Sequence, residues 1–322
     1  MGYRRPVDSG RSGDATSCRL WGCALLLVCL YGGGQVSAQT APSRSEQMQA
    51  AIREVARVLQ NNPRLKKVSQ QKRESLVEFV MGNMLFVLLH ELGHATVQEL
   101  RIPVLGREED AADDFAILRL LKARSDMPHR VLVEAAKGWF LSDRRDRRDG
   151  ERLVFYDEHS LDKQRAYHIV CLMVGADPGQ MVDLADEEKL PPDRRESCQK
   201  HDFPTALWSW ETELKRVERA ADQPKTKIDV VYGDGKGDFD VFAQGFRTVR
   251  LLERPAERAS EEFAWPAPFT LEIQTCGFIN ARWVQSTRKL TLCYELAQDF
   301  ADLYREFNLV KSTPVNWKRK SK

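Results

Sequence analysis

His90-Glu91-Leu92-Gly93-His94 is the run of this 322-residue chain whose residue types and spacing can do chemistry. The two histidines are four residues apart, so on a helix both imidazoles project from one face. Two imidazole nitrogens at that spacing can chelate one tetrahedral zinc ion. Glu91, beside the first histidine, can act as general base on a water whose pKa zinc lowers toward about 7. The run directly follows Phe79 to Leu89, a stretch apolar nearly all round and expected deep in a core. Two histidines and a glutamate there would be costly unless compensated, and a metal compensates them.

A catalytic zinc needs a third protein ligand and an open position. After a turn at residues 102–106 comes Arg107-Glu108-Glu109-Asp110-Ala111-Ala112-Asp113-Asp114-Phe115-Ala116. Glu109 and Asp113 share one helical face, with Ala112 small enough for close helix approach. Glu109 is read as the third ligand, and Asp113 as the acceptor for the far nitrogen of a ligating histidine. Glu108 is the adjacent alternative ligand, and Asp113 itself would serve an aspartate-type site. Acidic residues at a helix start also suit the helix dipole. That accounts for Glu108 and Asp110, but not for the run Glu109, Asp113 and Phe115.

The residues from Glu109 to Ala116 resemble the Glu-x-x-Ala-Asp-x-Phe-Ala signature that follows the zinc helix in gluzincin-type metallopeptidases. More broadly, the chain resembles a bacterial metallopeptidase family of unknown function. The resemblance rests on Leu-Leu-His-Glu-Leu-Gly-His, on Pro103 to Asp113 and on Asp157-Glu158-His159-Ser160-Leu161-Asp162-Lys163-Gln164-Arg165. It continues with Cys171, Leu190-Pro191 before Cys198, and the segment from Cys276-Gly277 to Cys293-Tyr294-Glu295, covering most of residues 70–300. It implies an exported zinc-dependent peptidase and no particular substrate. In zinc peptidases a His, Tyr or Arg donor commonly stabilises the oxyanion, which makes His159, Arg165 and Tyr167 candidates, His159 first. The competing reading of this segment is a capped helix start at Ser160 or Asp157. His129, His168 and His201 lack partner spacing and read as structural or exposed.

Helical spacing of apolar residues predicts helices over residues 48–59, 69–99, 108–124, 160–174 and 205–220. Arg144 to Arg152 reads as a solvated, charge-rich connection. Strands are expected at 228–232, 239–252 and 269–275, then a hairpin of 278–284 and 289–294, then a helix from Glu295 to Phe307. The glycines between Asp234 and Asp240 suggest a hairpin turn, since their spacing misses a calcium loop. The fold class is therefore α+β: a mainly helical, zincin-like core, then a smaller β-rich segment and a terminal helix. The expected division is a leader at 1–38, a helical domain at 48–220 and an α+β region at 225–310, without internal repeats.

Hydrophobic residues at 42% and near-balanced charges exclude intrinsic disorder, and the net charge of +2 gives no electrostatic case for nucleic acid. Residues 1–38 read as a signal peptide: arginines at 4, 5, 11 and 19, an apolar run from Leu20 to Tyr31, and Val36-Ser37-Ala38 before the cut. An uncleaved membrane anchor is the alternative, opposed by Gly32-Gly33-Gly34. No other stretch is expected to span a membrane. The leader holds four basic and two acidic residues, so the remainder is formally neutral. It also holds three of the seven Cys, leaving Cys171, Cys198, Cys276 and Cys293. An even number in an exported chain suggests two disulfides; three connectivities are open, and the local one, Cys171–Cys198 with Cys276–Cys293, is expected. The leading expectation is a zinc peptidase acting on a peptide or protein substrate outside the cytoplasm. The alternatives are a non-catalytic envelope protein with a structural zinc that binds a partner, and a zinc amidase acting on cell-wall peptides.

Overall fold

Helix α1 (Arg44–Val58) turns Ala51, Ile52, Val55 and Ala56 inward, the spacing of one helical face. Helix α2 (Gln70–Leu100) starts at Ser69, whose hydroxyl accepts from the Lys72 amide at 3.4 Å. By length and composition α2 is able to cross a membrane, yet most of it is buried inside the protein. It is the central helix, packed by α1, by α3 (Glu108–Leu121) and by α4 (Asp126–Asp149). The computed structural model describes residues 44–123 and 126–309. The expected leader, with its three cysteines, lies outside the described residues.

The charge-rich stretch from Arg144 to Arg152 is a correction: most of it is the last turns of α4, not a loop. Val131, Leu132, Ala135, Ala136 and Leu141 give that helix a buried stripe. Its charges are held in pairs, Arg147 with Asp143 at 2.8 Å one turn earlier and Arg145 with Asp299 at 2.8 Å. A charge run is compatible with a helix when the opposite face is apolar and the charges pair at helical spacing.

Helix α5 (Asp162–Ala176) lies against α4 and α3, and is followed by α6 (Val182–Glu187), α7 (Pro192–Ser197) and α8 (Phe203–Arg216). Trp210 on α8 is buried against Phe115 of α3, with ring centroids 5.3 Å apart, while Trp208 is exposed. Cys171 on α5 is bonded to Cys198, just after α7.

The second half begins with β1 (Ile228–Tyr232). The strand expected over 239–252 is instead α9 (Asp240–Thr248) and its exit. Phe242, Phe246 and Val249, all buried, are spaced four and three apart, a helical period that outweighs the β propensity of the individual residues. The expected glycine-rich hairpin turn is also corrected. Strand β1 pairs in parallel with β2 (Phe269–Gln274), so the chain must cross over between them, through α9 and α10 (Glu253–Glu262). Gly235 is required there because a Cβ would stand 2.7 Å from the Phe239 carbonyl carbon.

Strands β3 (Ala281–Val284) and β4 (Lys289–Cys293) form the expected antiparallel hairpin. The sheet order is β1-β2-β4-β3, mixed, with β3 at an edge beside α2. Cys276 is bonded to Cys293 at the end of β4, tying the approach to β3 onto the sheet. Helix α11 (Tyr294–Tyr304) packs against α2 and α4, and a π-helical turn (Arg305–Leu309) closes the described chain. The architecture is α+β: a helical majority built around α2 and a small mixed sheet whose edge strand reaches it.

Candidate metal centre

His90 and His94 point from one face of α2 and bring their Nε2 atoms to 3.2 Å. Glu109, in the first turn of α3, places Oε2 3.1 Å from His90 Nε2 and 3.3 Å from His94 Nε2. The helices approach this closely because Gly93 faces Ala112: a Cβ at 93 would lie 3.0 Å from the Ala112 Cα. His159, in the loop before α5, reaches the same carboxylate oxygen, with its Nε2 3.0 Å away. Ligand atoms of His90, Glu109 and His159 all lie within 4.8 Å of one another, so the donor set suits one metal ion.

Behind each α2 histidine stands another carboxylate. His90 Nδ1 is 2.8 Å from Asp113 Oδ1, and His94 Nδ1 is 2.8 Å from Glu108 Oε1. Glu108 also accepts from Gln98 at 2.8 Å. The two glutamates at the start of α3 thus face different nitrogens: Glu109 the convergent Nε2 pair, Glu108 the rear of His94. Asp113 in turn accepts from Nε and Nη2 of Arg165, both at 2.7 Å. The Arg165 guanidinium lies 3.8 Å from the centre of the Trp139 ring. Asp113 is 3% exposed and Arg165 7%, so each charge depends on the other for compensation.

Glu91 is buried, and its Oε2 accepts from the backbone amide of Trp283 at 2.8 Å. Edge strand β3 thereby orients the carboxylate that neighbours the first histidine. Glu91, His90, His159 and Arg165 line a cavity of about 240 Å³ together with Asn280 and Ala281 at the start of β3.

The cluster is electrostatically strained toward charge. Burial by itself lowers the pKa of His90, but hydrogen bonds to Asp113 and Glu109 outweigh it and raise it. Burial likewise opposes protonation of His94, yet Glu109 and Glu108 bring it to about 9. Glu109 resists burial through bonds from His159, His90 and His94, which hold it far below the ordinary carboxylate range. Asp113 is buried too, and Arg165 and His90 keep it well below its usual value. Three imidazoles crowding one ionised oxygen is the balance that a divalent cation would satisfy in place of protons.

Of the other expected donors, Arg165 is engaged with Asp113. Tyr167 gives its hydroxyl to the Glu188 carbonyl at 3.1 Å and lines a different cavity, whereas Arg165 lines the same cavity as Glu91. His168 pairs with Asp114 at 2.6 Å, and His201 is exposed. Sequence reasoning missed the Trp139 stack and the Trp283 amide, neither of which carries a local signal, and the rear position of Glu108. For Glu108, adjacency to Glu109 on a helix was signal enough that the two must point to different atoms.

Residues 45–214 match the model of a family described as "Putative metallopeptidase" (DUF4344). No curated protein and no solved structure matches the chain.

Proposed function

The chain belongs to that metallopeptidase family, and from this premise we propose that it is an exported zinc peptidase using Glu91 as its general base. The convergence of His90 Nε2, His94 Nε2 and Glu109 Oε2 within 3.3 Å of one another is the observation that carries this reading. Those three residues would hold the ion, and zinc bound there would supply Lewis acidity to water and to the scissile carbonyl. Asp113 and Glu108 accept the Nδ1 protons and so leave both Nε2 lone pairs facing Glu109. Arg165 keeps Asp113 ionised and fixed in place. Glu91, aimed by the Trp283 amide, takes a proton from the attacking water and passes it to the leaving amine. In this proposal an extended peptide would lie in the cavity that Asn280 and Ala281 line at the start of edge strand β3.

Two disulfides belong to an oxidising compartment. Export through residues 1–38 is part of the proposal, and N-terminal sequencing of the mature protein tests it. The substrate class is tested by peptide-library cleavage with and without chelator, which also separates a protease from a cell-wall amidase. For the mechanism, Glu91→Ala should retain stoichiometric zinc while hydrolysis falls by about 100-fold or more. A variant that cleaves as fast as the parent would overturn it.

A second reading has one observation in its favour. His159 approaches the same oxygen as the other two histidines, and a zinc fully enclosed by four protein groups is structural rather than catalytic. On that reading the protein binds a partner, and the zinc-loaded parent shows no chelator-sensitive hydrolysis for Glu91→Ala to remove.

A further inference from the structure

We propose that His159 is a fourth ligand of the resting metal, delivered by the strap at residues 150–161, rather than a donor to the reacting oxygen. The inference rests on the metal-centre reading above. Three observations carry it. First, His159 Nε2 lies 3.0 Å from Glu109 Oε2, as near as either α2 histidine comes. A group placed to bind a substrate oxyanion would stand off from the ligand atoms; this one lies within 4.8 Å of those of His90 and Glu109. Second, His159 is built like the other two ligands: its Nδ1 is 3.1 Å from Asp157 Oδ1, so it too has a carboxylate behind it that leaves Nε2 free to ligate. Asp157 also accepts the His159 backbone amide at 2.9 Å, which fixes the ring's root as well as its tautomer.

Third, the strap is fastened to the helix that carries Glu109. Ser160 gives its hydroxyl to Asp110 at 2.7 Å, and the Leu161 amide is received by Gln164 at 3.1 Å where α5 begins. These bonds are solvent-exposed, and Phe155 and Tyr156 on the same strap are exposed as well. A ligand held by surface bonds can close the metal at rest and leave when a better donor arrives. The chemical class of that donor is a bidentate oxygen ligand or a peptide carbonyl, which takes up the position His159 vacates.

The test uses full-length protein stripped of metal and reloaded with zinc or cobalt, wild type beside His159→Ala, with circular dichroism to verify folding. Metal affinity is read by chelator competition, and coordination by the visible absorption of the cobalt form. His159→Ala is expected to bind zinc about 100-fold more weakly and to shift the cobalt spectrum, with Asp157→Asn giving a smaller loss in the same direction. Acetohydroxamate is the second probe. Removing a ligand opens a position, so the loaded variant should bind it about tenfold more tightly than wild type. An oxyanion donor predicts the reverse, weaker binding of the probe with zinc affinity unchanged. Unchanged zinc affinity and cobalt spectrum in His159→Ala would overturn the proposal while leaving the metal centre intact. Absence of metal binding by the wild type would overturn both.

Discussion

An imidazole becomes a useful metal ligand when its rear nitrogen is occupied. At this centre the acceptors differ in depth, and their loss should differ accordingly. Glu108 is partly exposed and shared with Gln98, so Glu108→Ala should weaken zinc binding by about 10- to 100-fold with little effect on folding. Asp113 is buried with Arg165, and Asp113→Ala leaves a largely buried guanidinium without its carboxylate. That variant should lose metal affinity and also about 3–5 kcal/mol of stability in the metal-free protein. Denaturant unfolding beside chelator competition separates the two effects. Equal destabilisation by both variants would refute this account of the rear carboxylates.

At the scale of elements, the centre exists because α2 and α3 touch. Gly93 has Ala112 against it, with the Ala112 Cα, Cβ and carbonyl oxygen all within 3.2 Å of where a Cβ would stand. A larger residue must push α3 away and carry Glu109 with it. Gly93→Val is therefore expected to cost about 1–3 kcal/mol by overpacking and, more tellingly, to reduce zinc affinity. Ala112→Gly in the same chain should recover part of that affinity by withdrawing the nearest side-chain atom. If the double variant binds no better than Gly93→Val, helix separation is not what places Glu109. The Ser69 cap and the left-handed Arg101 at its end bound α2, so the histidine face is held by the helix rather than by a loop.

For the whole molecule, the sheet reaches the centre through the hydrogen bond from the Trp283 amide to Glu91. The Cys276–Cys293 bond secures the approach to that strand, with Glu295 accepting the amides of Cys276 and Gly277. It closes a separation of 17 residues, and replacing both cysteines by serine should cost about 3 kcal/mol. The loss of hydrolysis should exceed the loss of zinc, since Glu91 is loosened while the ligands are not. The Cys171–Cys198 bond spans 27 residues and pins α5 to the segment after α7. Its removal should lower stability similarly and leave turnover of the folded fraction unchanged. Steady-state kinetics beside metal analysis decides this, and identical kinetic effects of the two replacements would count against it.

Local pattern was sufficient for the histidine pair, for the face shared by Glu109 and Asp113, and for the helices that carry them. Helical periodicity and ligand spacing are both short-range properties, written within four residues of each other. The same pattern left the whole of α4 unread, its end taken for a charged loop, and read for β propensity hid α9, because in both places the deciding term was burial of one face against partners far away in sequence. Apart from Asp113 behind His90, what stands behind and opposite the histidines was decided only by folding. Arg165 on Asp113, Trp139 on Arg165, the Trp283 amide on Glu91 and His159 at the Glu109 oxygen join residues 26 to 192 positions apart. No local rule specifies those partners, since each contact is set by the packing of helices and an edge strand around α2 and by the cost of leaving a buried charge alone.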